Sequence, residues 1–191
     1  TPTGAFKVRG GLVYMDALRR REPAVRSVMS ATRGNHGQSI AFAAARHGLA
    51  ATIVVPRGNS VEKNAAMRAL GAELIEQGED FQAAREHAVR LAGERGAHMV
   101  PSFHADLVRG VASYWVEFFA SFATGEAPEV VFVPIGLGSG ICACAAARAH
   151  AGVRTRIVGV VSAHAPAYRL SFEAGRAIEA PVSTLLADGM A

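Results

Sequence analysis

The spacing of apolar residues changes period repeatedly along the chain. Helical spacing runs from about Phe6 to Leu18, and the next apolar run, SVMSA at 27–31, is short and unbroken. QSIAFAAARHGL reads as an Ala-rich helix ended by Gly48, and ATIVVP as a β-branched strand stopped by Pro56. SVEKNAAMRALG predicts a helix with Ser60 as N-cap and Gly71 just past its end, followed by the strand AELIEQ. DFQAAREHAVRLAGERG is helical, HMVPS a short strand and ADLVRGVASYWVEFFASFATG a long helix. EVVFVPI, the segment Ser139 to His150 and RIVGVVS then give strand, helix and strand.

Strands alternating with helices predict βαβ units, that is, an α/β fold with parallel sheets. Most strands are continuous apolar runs, which fits sheets covered on both faces. Ligands in such folds sit at the carboxyl ends of the strands. Half of the 191 residues are hydrophobic and 19% charged, so the chain has a core to bury. The net charge is +4, but the arginines are scattered apart from Arg19-Arg20-Arg21, placed where a helix end favours cations. Without a basic stripe, a nucleic-acid partner is not expected. No apolar stretch reaches membrane-spanning length and no signal peptide is visible, so no membrane partner and a cytoplasmic location are expected. Cys142 and Cys144 read as buried packing on different helix faces. The chain starts within a motif and stops without a terminal-looking tail, so a segment truncated at both ends is expected.

Three loops carry candidate chemistry. Gly136-Leu137-Gly138-Ser139-Gly140 joins a strand to a helix, where backbone N–H groups and the helix dipole suit a phosphate; a plain tight turn is the alternative. Ser30-Ala31-Thr32-Arg33-Gly34-Asn35-His36-Gly37-Gln38-Ser39 lies at another strand-to-helix turn and offers backbone donors, an amide and a cation to a small anion; Asn35 and His36 could also be simple caps. The third is TPTGAFKVRG. Lys7 and Lys63 are the only lysines beside eighteen arginines, so position 7 reads as chemistry and not mere charge. Thr3 is expected to cap the helix with Gly4 in its first turn, Phe6 to be core, and the helix dipole to lower the Lys7 pKa. Lys63 reads as a solvated helix face, Tyr114 and Trp115 as packing, and His104 and Asp106 as caps. A phosphate cradle together with a lowered lysine points to a phosphorylated aldehyde cofactor, and pyridoxal phosphate has both handles.

The set PTGAFKVRG, TRGNHGQS, SVEKNAAMRALGAELIE, VPIGLGSGI and IVGV, in this order, resembles the fold-type-II pyridoxal-phosphate enzymes, within them the threonine dehydratase and serine racemase group. The resemblance implies two parallel-sheet, three-layer domains. The smaller spans residues 27–103; the larger is partial, at 1–26 and 104–191. It implies that Lys7 bonds the cofactor aldehyde, that Phe6 lies near the ring, and that Asn35 hydrogen-bonds the ring oxygen. Amides of Gly136, Leu137, Gly138, Ser139 and Gly140 would hold the phosphate, and Thr32, Arg33, Gly34 and His36 the substrate carboxylate. The activity implied is loss of water and then ammonia from a β-hydroxy amino acid, threonine or serine, by a homodimer. β-Replacement, dehydration of a hydroxylated compatible solute, and an inactive cofactor-binding fragment are the alternatives. Racemising relatives carry a serine base where this chain has Arg33, so racemisation is not expected. Relatives with a divalent-cation site place a carboxylate after the strand matching RIVGVV; SAHAPAYRLSF has none before Glu173, so no metal is expected.

Overall fold

Successive side chains of the first strand, β1 (Ser27–Ala31), enter two different cores: Val28 joins one cluster, Met29 and Ala31 the other. A strand covered on both faces needs no polar alternation, which is why SVMSA shows none. The computed structural model describes residues 2–123 and 125–183. They fall in two compact units, Thr1–Gly110 and Val111–Ala191.

The first unit runs α1 (Lys7–Arg21), β1, α2 (Asn35–Arg46), β2 (Ala50–Val55), α3 (Val61–Ala69), β3 (Glu73–Glu76), α4 (Phe81–Arg95), β4 (His98–Met99) and the start of α5 (Ala105–Ala120). Its sheet has the order β3-β2-β1-β4, and every pairing is parallel. On one face, Tyr14, Met15 and Leu18 of α1 and Ile40, Ala43 and Ala44 of α2 pack on Val28, Ile53 and Val55. Burying one such Leu, Ile or Met side chain contributes about 1.5–3 kcal/mol. On the other face, Ala84, Ala88 and Ala92 put one row of methyls from α4 against Met29, Ala31 and Val54. This is the three-layer α/β arrangement expected.

Most helix ends obey their caps. Ser60 accepts a hydrogen bond from the Lys63 amide and Asp80 from the Ala83 amide, while Gly96 closes α4 in the left-handed region at φ 60°. The start of α1 differs from the expectation. Phe6 is the N-cap, Gly4 sits outside the helix at φ +66°, and the Thr3 hydroxyl donates to Ala5 O at 3.4 Å. Thr3 therefore caps nothing; a left-handed glycine turn, not a side chain, sets the entry into α1. His104 does cap α5, its Nδ1 accepting from the Asp106 amide at 3.1 Å. Asp106 has a different task. Its buried carboxylate pairs with Arg21 at 2.6 Å and Arg109 at 3.2 Å, and Arg21 holds its pKa below the usual carboxylate value.

In the second unit β5 (Val130–Pro134) pairs in parallel with β6 (Arg156–Val160), with α6 (Ser139–Ala151) between them in sequence. A Cβ on Gly159 would lie 2.7 Å from Ile135 Cδ1, so glycine in IVGV makes room for that side chain. Trp115 Nε1 donates to Gly140 O at 3.1 Å, meets Phe118 edge to face and stacks on Phe119, the packing role expected. Cys144 is buried but Cys142 is exposed, which corrects half of the cysteine reading. A short helix absent from the sequence reading, α7 (Ala167–Ala174), follows β6 and has no buried residue. Among the described residues, no helix is long and apolar enough to cross a membrane.

Candidate active site

The strand order of the first unit locates a crevice before any side chain is considered. After β1 the chain moves outward to β2 and β3, then crosses back to place β4 on the other side of β1. The carboxyl ends of β1 and β4 therefore flank a topological switch point. The residues Thr32-Arg33-Gly34 leave β1 at that point and lead into α2.

Thr32 organises the turn. Its buried Oγ1 accepts from the amides of Gly34 at 3.0 Å and Gly37 at 3.3 Å, acting as the cap that Gly34, the formal N-cap, cannot be. Asn35 and His36 thus begin α2 without capping it. Gly37 must be glycine for this, because a Cβ would lie 2.5 Å from Thr32 Cγ2. With those two amides taken, the N–H groups of Asn35 and His36 are first-turn donors that the helix itself does not use. Asn35 is exposed and Arg33 half-buried.

His36 is buried, and its protonation follows from its neighbours. The Ser30 hydroxyl gives its only proton to Val100 O at 3.0 Å. Across the 3.1 Å contact with His36 Nε2, Ser30 Oγ must then accept and the imidazole must donate. Burial first, then the Lys7 charge, push the His36 pKa down to about 3. The ring is neutral with its proton on Nε2, and Nδ1 carries a lone pair. Toward a carboxylate, His36 can offer its main-chain N–H but not its ring.

Lys7 is the first residue of α1, and its Nζ lies 5.5 Å from the Phe6 ring centroid. Phe6 is half-buried and not core. The Lys7 pKa is lowered as expected, and burial lowers it. Ser39 of α2 donates to the Lys7 carbonyl at 2.5 Å. Lys63 corrects another expectation. It is half-buried, and its stem lies over Gly34, where a Cβ would approach Cδ to 2.7 Å and Nζ to 3.5 Å. Both lysines of the chain thus lie near the turn into α2 within the first unit.

Ser30, Ser39 and Lys63 were given no role in the site from sequence. Each left a trace: a hydroxyl inside an apolar strand, a hydroxyl inside an Ala-rich helix, and the second of only two lysines.

In the second unit, Gly136 to Gly140 link β5 to α6. Gly138 is the N-cap at φ 94°, a left-handed conformation that disfavours any side chain, and the Cys142 amide donates to its carbonyl at 3.0 Å. Gly138, Ser139 and Gly140 are buried and Leu137 is exposed. A glycine cap exposes the first amides of α6 with the positive end of its dipole, as a phosphate requires. Each unit by itself has what one end of a phosphorylated aldehyde needs: a lowered amine in the first, a side-chain-free helix start in the second.

Comparison with known proteins agrees. The sequence model of the family described as pyridoxal-phosphate dependent enzyme matches residues 1–191. The chain is 37% identical over 192 residues to an L-threonine ammonia-lyase of Geobacter sulfurreducens, covering 99% of this chain and 46% of that one. It is 34% identical over 190 residues to an L-threonine ammonia-lyase of Thermotoga maritima, again 99% and 46%. The processed form of threonine deaminase isoform 2 from Solanum lycopersicum superposes with a TM-score of 0.88 at 30% identity, covering 99% of this chain and 54% of that one. The chain thus spans about half the length of the curated relatives it matches.

Proposed function

The chain belongs to the pyridoxal-phosphate dependent enzymes, and from that premise we propose that the whole protein is a lyase of the threonine ammonia-lyase type. It would remove water and then ammonia from a β-hydroxy amino acid, threonine or serine, leaving a 2-oxo acid. The carrying observation is Lys7: a half-buried amine of lowered pKa beside the turn that presents Asn35 and His36. The similar proteins named L-threonine ammonia-lyase support the choice of substrate class.

In this proposal Lys7 and Phe6 meet the cofactor ring, Asn35 hydrogen-bonds its oxygen, and the amides of Gly136, Leu137, Gly138, Ser139 and Gly140 hold its phosphate. When bound, the cofactor supplies an aldehyde for Lys7 and a ring that takes up the electron pair left at the substrate Cα. Lys7 Nζ removes the Cα proton, and a lowered pKa raises the fraction of neutral amine able to do so. The carboxylate is oriented by the main-chain amides of Asn35 and His36, by the Thr32 O–H, whose oxygen already accepts the amides of Gly34 and Gly37, and by Arg33. His36 stays neutral and holds no proton to give through Nδ1. Arg33 cannot serve as a base, so it is not the second proton acceptor that inversion at Cα requires. The division into a small domain at 27–103 and a partial large one at 1–26 with 104–191 belongs to the same proposal.

The test is borohydride reduction of the whole protein with its cofactor, peptide mapping of the fixed label, and assay of ammonia and 2-oxo acid release across hydroxy amino acids. Label on Lys7 and release from threonine or serine are expected. Label elsewhere, or cysteine formed from sulfide and an activated serine in place of elimination, overturns the reading.

A further inference from the structure

The first turn of α1 is held by its main chain from two sides within the first unit. From α2, the Ser39 hydroxyl donates to Lys7 O at 2.5 Å. Gly11, one turn on, makes this possible: a Cβ there would fall on the Ser39 hydroxyl and 2.7 Å from Ser39 O. From α5, a Cβ on Gly110 would reach Gly10 Cα at 2.7 Å and collide with Arg9 O. Glycines at 11 and 110 therefore let two helices close on the backbone of residues 7 to 11.

We propose that Ser39 is a positioning residue that fixes the main chain of Lys7 to the helix carrying the Asn35–His36 turn. Three observations carry it. Ser39 is 1% exposed, and a hydroxyl buried that deeply costs stability unless it is bonded. A serine inside a helix ordinarily returns its proton to the carbonyl four residues back, but Ser39 sends it across to another helix. Ala41, Ala43 and Ala44 fill the other buried small positions of α2, so packing alone would be met by one more methyl.

The mechanical consequence follows from the register of α2. Asn35 opens the helix and Ser39 lies one turn later on the same face. The turn that meets the substrate and the backbone that carries Lys7 Nζ are thereby one rigid body. A side chain with four methylenes has many rotamers; anchoring its Cα reduces the volume its amine samples. Ser39 touches neither the cofactor nor the substrate in this account and acts only through Lys7.

The inference rests on Lys7 being the cofactor lysine, so its test separates the two. Ser39→Ala and Ser39→Cys are made in the whole protein; the thiol is close to serine in shape but a weak donor. Two readouts are followed besides turnover: the pH dependence of the cofactor's visible absorbance, and the pH dependence of Lys7 modification by an amine reagent in cofactor-free protein. Both variants should lose about ten- to a hundredfold in kcat at nearly unchanged KM, with both pH dependences displaced together. Wild-type titrations and kcat in Ser39→Ala, with only a lower Tm, would make Ser39 mere packing. A wild-type Ser39→Cys beside a defective Ser39→Ala would assign the effect to volume and overturn the hydrogen-bond role. If Ser39→Ala does not fold, Ser39→Cys decides alone, by loss or retention of kcat and titration. Absence of borohydride label on Lys7 in the unmodified protein would instead refute the functional reading itself.

Discussion

Acid should unfold this protein partly through a single imidazole. His36 titrates at about 3 in the folded state against an ordinary value of 6.5, because burial and the Lys7 charge oppose its protonation. In the unfolded chain it takes up a proton as pH falls through 6.5, whereas the folded protein refuses it until about pH 3. The unfolded state therefore binds more protons throughout that window. Stability from this group is complete above 6.5 and is lost progressively below it. With about 1.36 kcal/mol per pH unit, the loss between pH 7.5 and 4.5 comes to about 2.6 kcal/mol. His36→Gln removes the titration and keeps an amide N–H able to reach Ser30. Urea unfolding of both proteins at the two pH values isolates the term, since every other titrating group is shared. The unmodified protein should lose about 2.6 kcal/mol more than the variant on acidification. Equal losses would show that His36 protonates in place, and the assignment of its proton to Nε2 would fall with it. Two-bond proton–nitrogen NMR of the ring, showing Nε2 protonated and Nδ1 bare down to pH 5, is the independent check.

Lys7→Arg should abolish both borohydride labelling and elimination although the charge is kept, since a guanidinium is not nucleophilic at working pH; appreciable turnover would reduce Lys7 to a charge. Gly138→Val places a β-branched residue at φ 94° and should weaken cofactor binding at least tenfold, at a strain of about 1–2 kcal/mol; unchanged affinity in a spectroscopic titration would move the phosphate site elsewhere. Arg33→Ala should raise KM about ten- to a hundredfold with cofactor colour retained, the worth of a charge-assisted pair at about 1.5–3 kcal/mol; an unchanged KM would leave the carboxylate to the loop amides.

The layered fold was legible because it is written in short-range periodicity. β1 and β2 read as continuous apolar runs because α1 and α2 cover one face and α4 the other, and Ser60, Asp80 and Gly96 sit within three residues of the backbone they satisfy. What stayed hidden depends on partners far along the chain. Ser30 meets Val100 seventy residues on, Ser39 meets Lys7 thirty-two residues back, and Asp106 meets Arg21 eighty-five back. No local pattern distinguishes such a serine from one that only fills space. The lowered Lys7 amine was expected from its place at a helix start, but the burial that lowers it was not; side-chain depth is a property of packing and not of spacing. The α7 helix escaped because its eight residues make about two turns, too short a stretch for helical spacing to stand out.

The placement of Lys63 bears on selectivity between amines. A free aldehyde condenses with any accessible neutral amine, and a lysine-rich surface would scatter it over many. This chain carries its positive charge almost wholly as guanidinium, which cannot condense in that way. The competition within it is therefore between two side chains. Lys63 lays its stem along Gly34, so swinging the amine outward to react means giving up that contact. Lys7 has the amine that burial has made easier to deprotonate. Enlarging residue 34 would lift the Lys63 stem off the turn and give the aldehyde a second destination, so the glycine before Asn35 also guards against attachment at the wrong lysine.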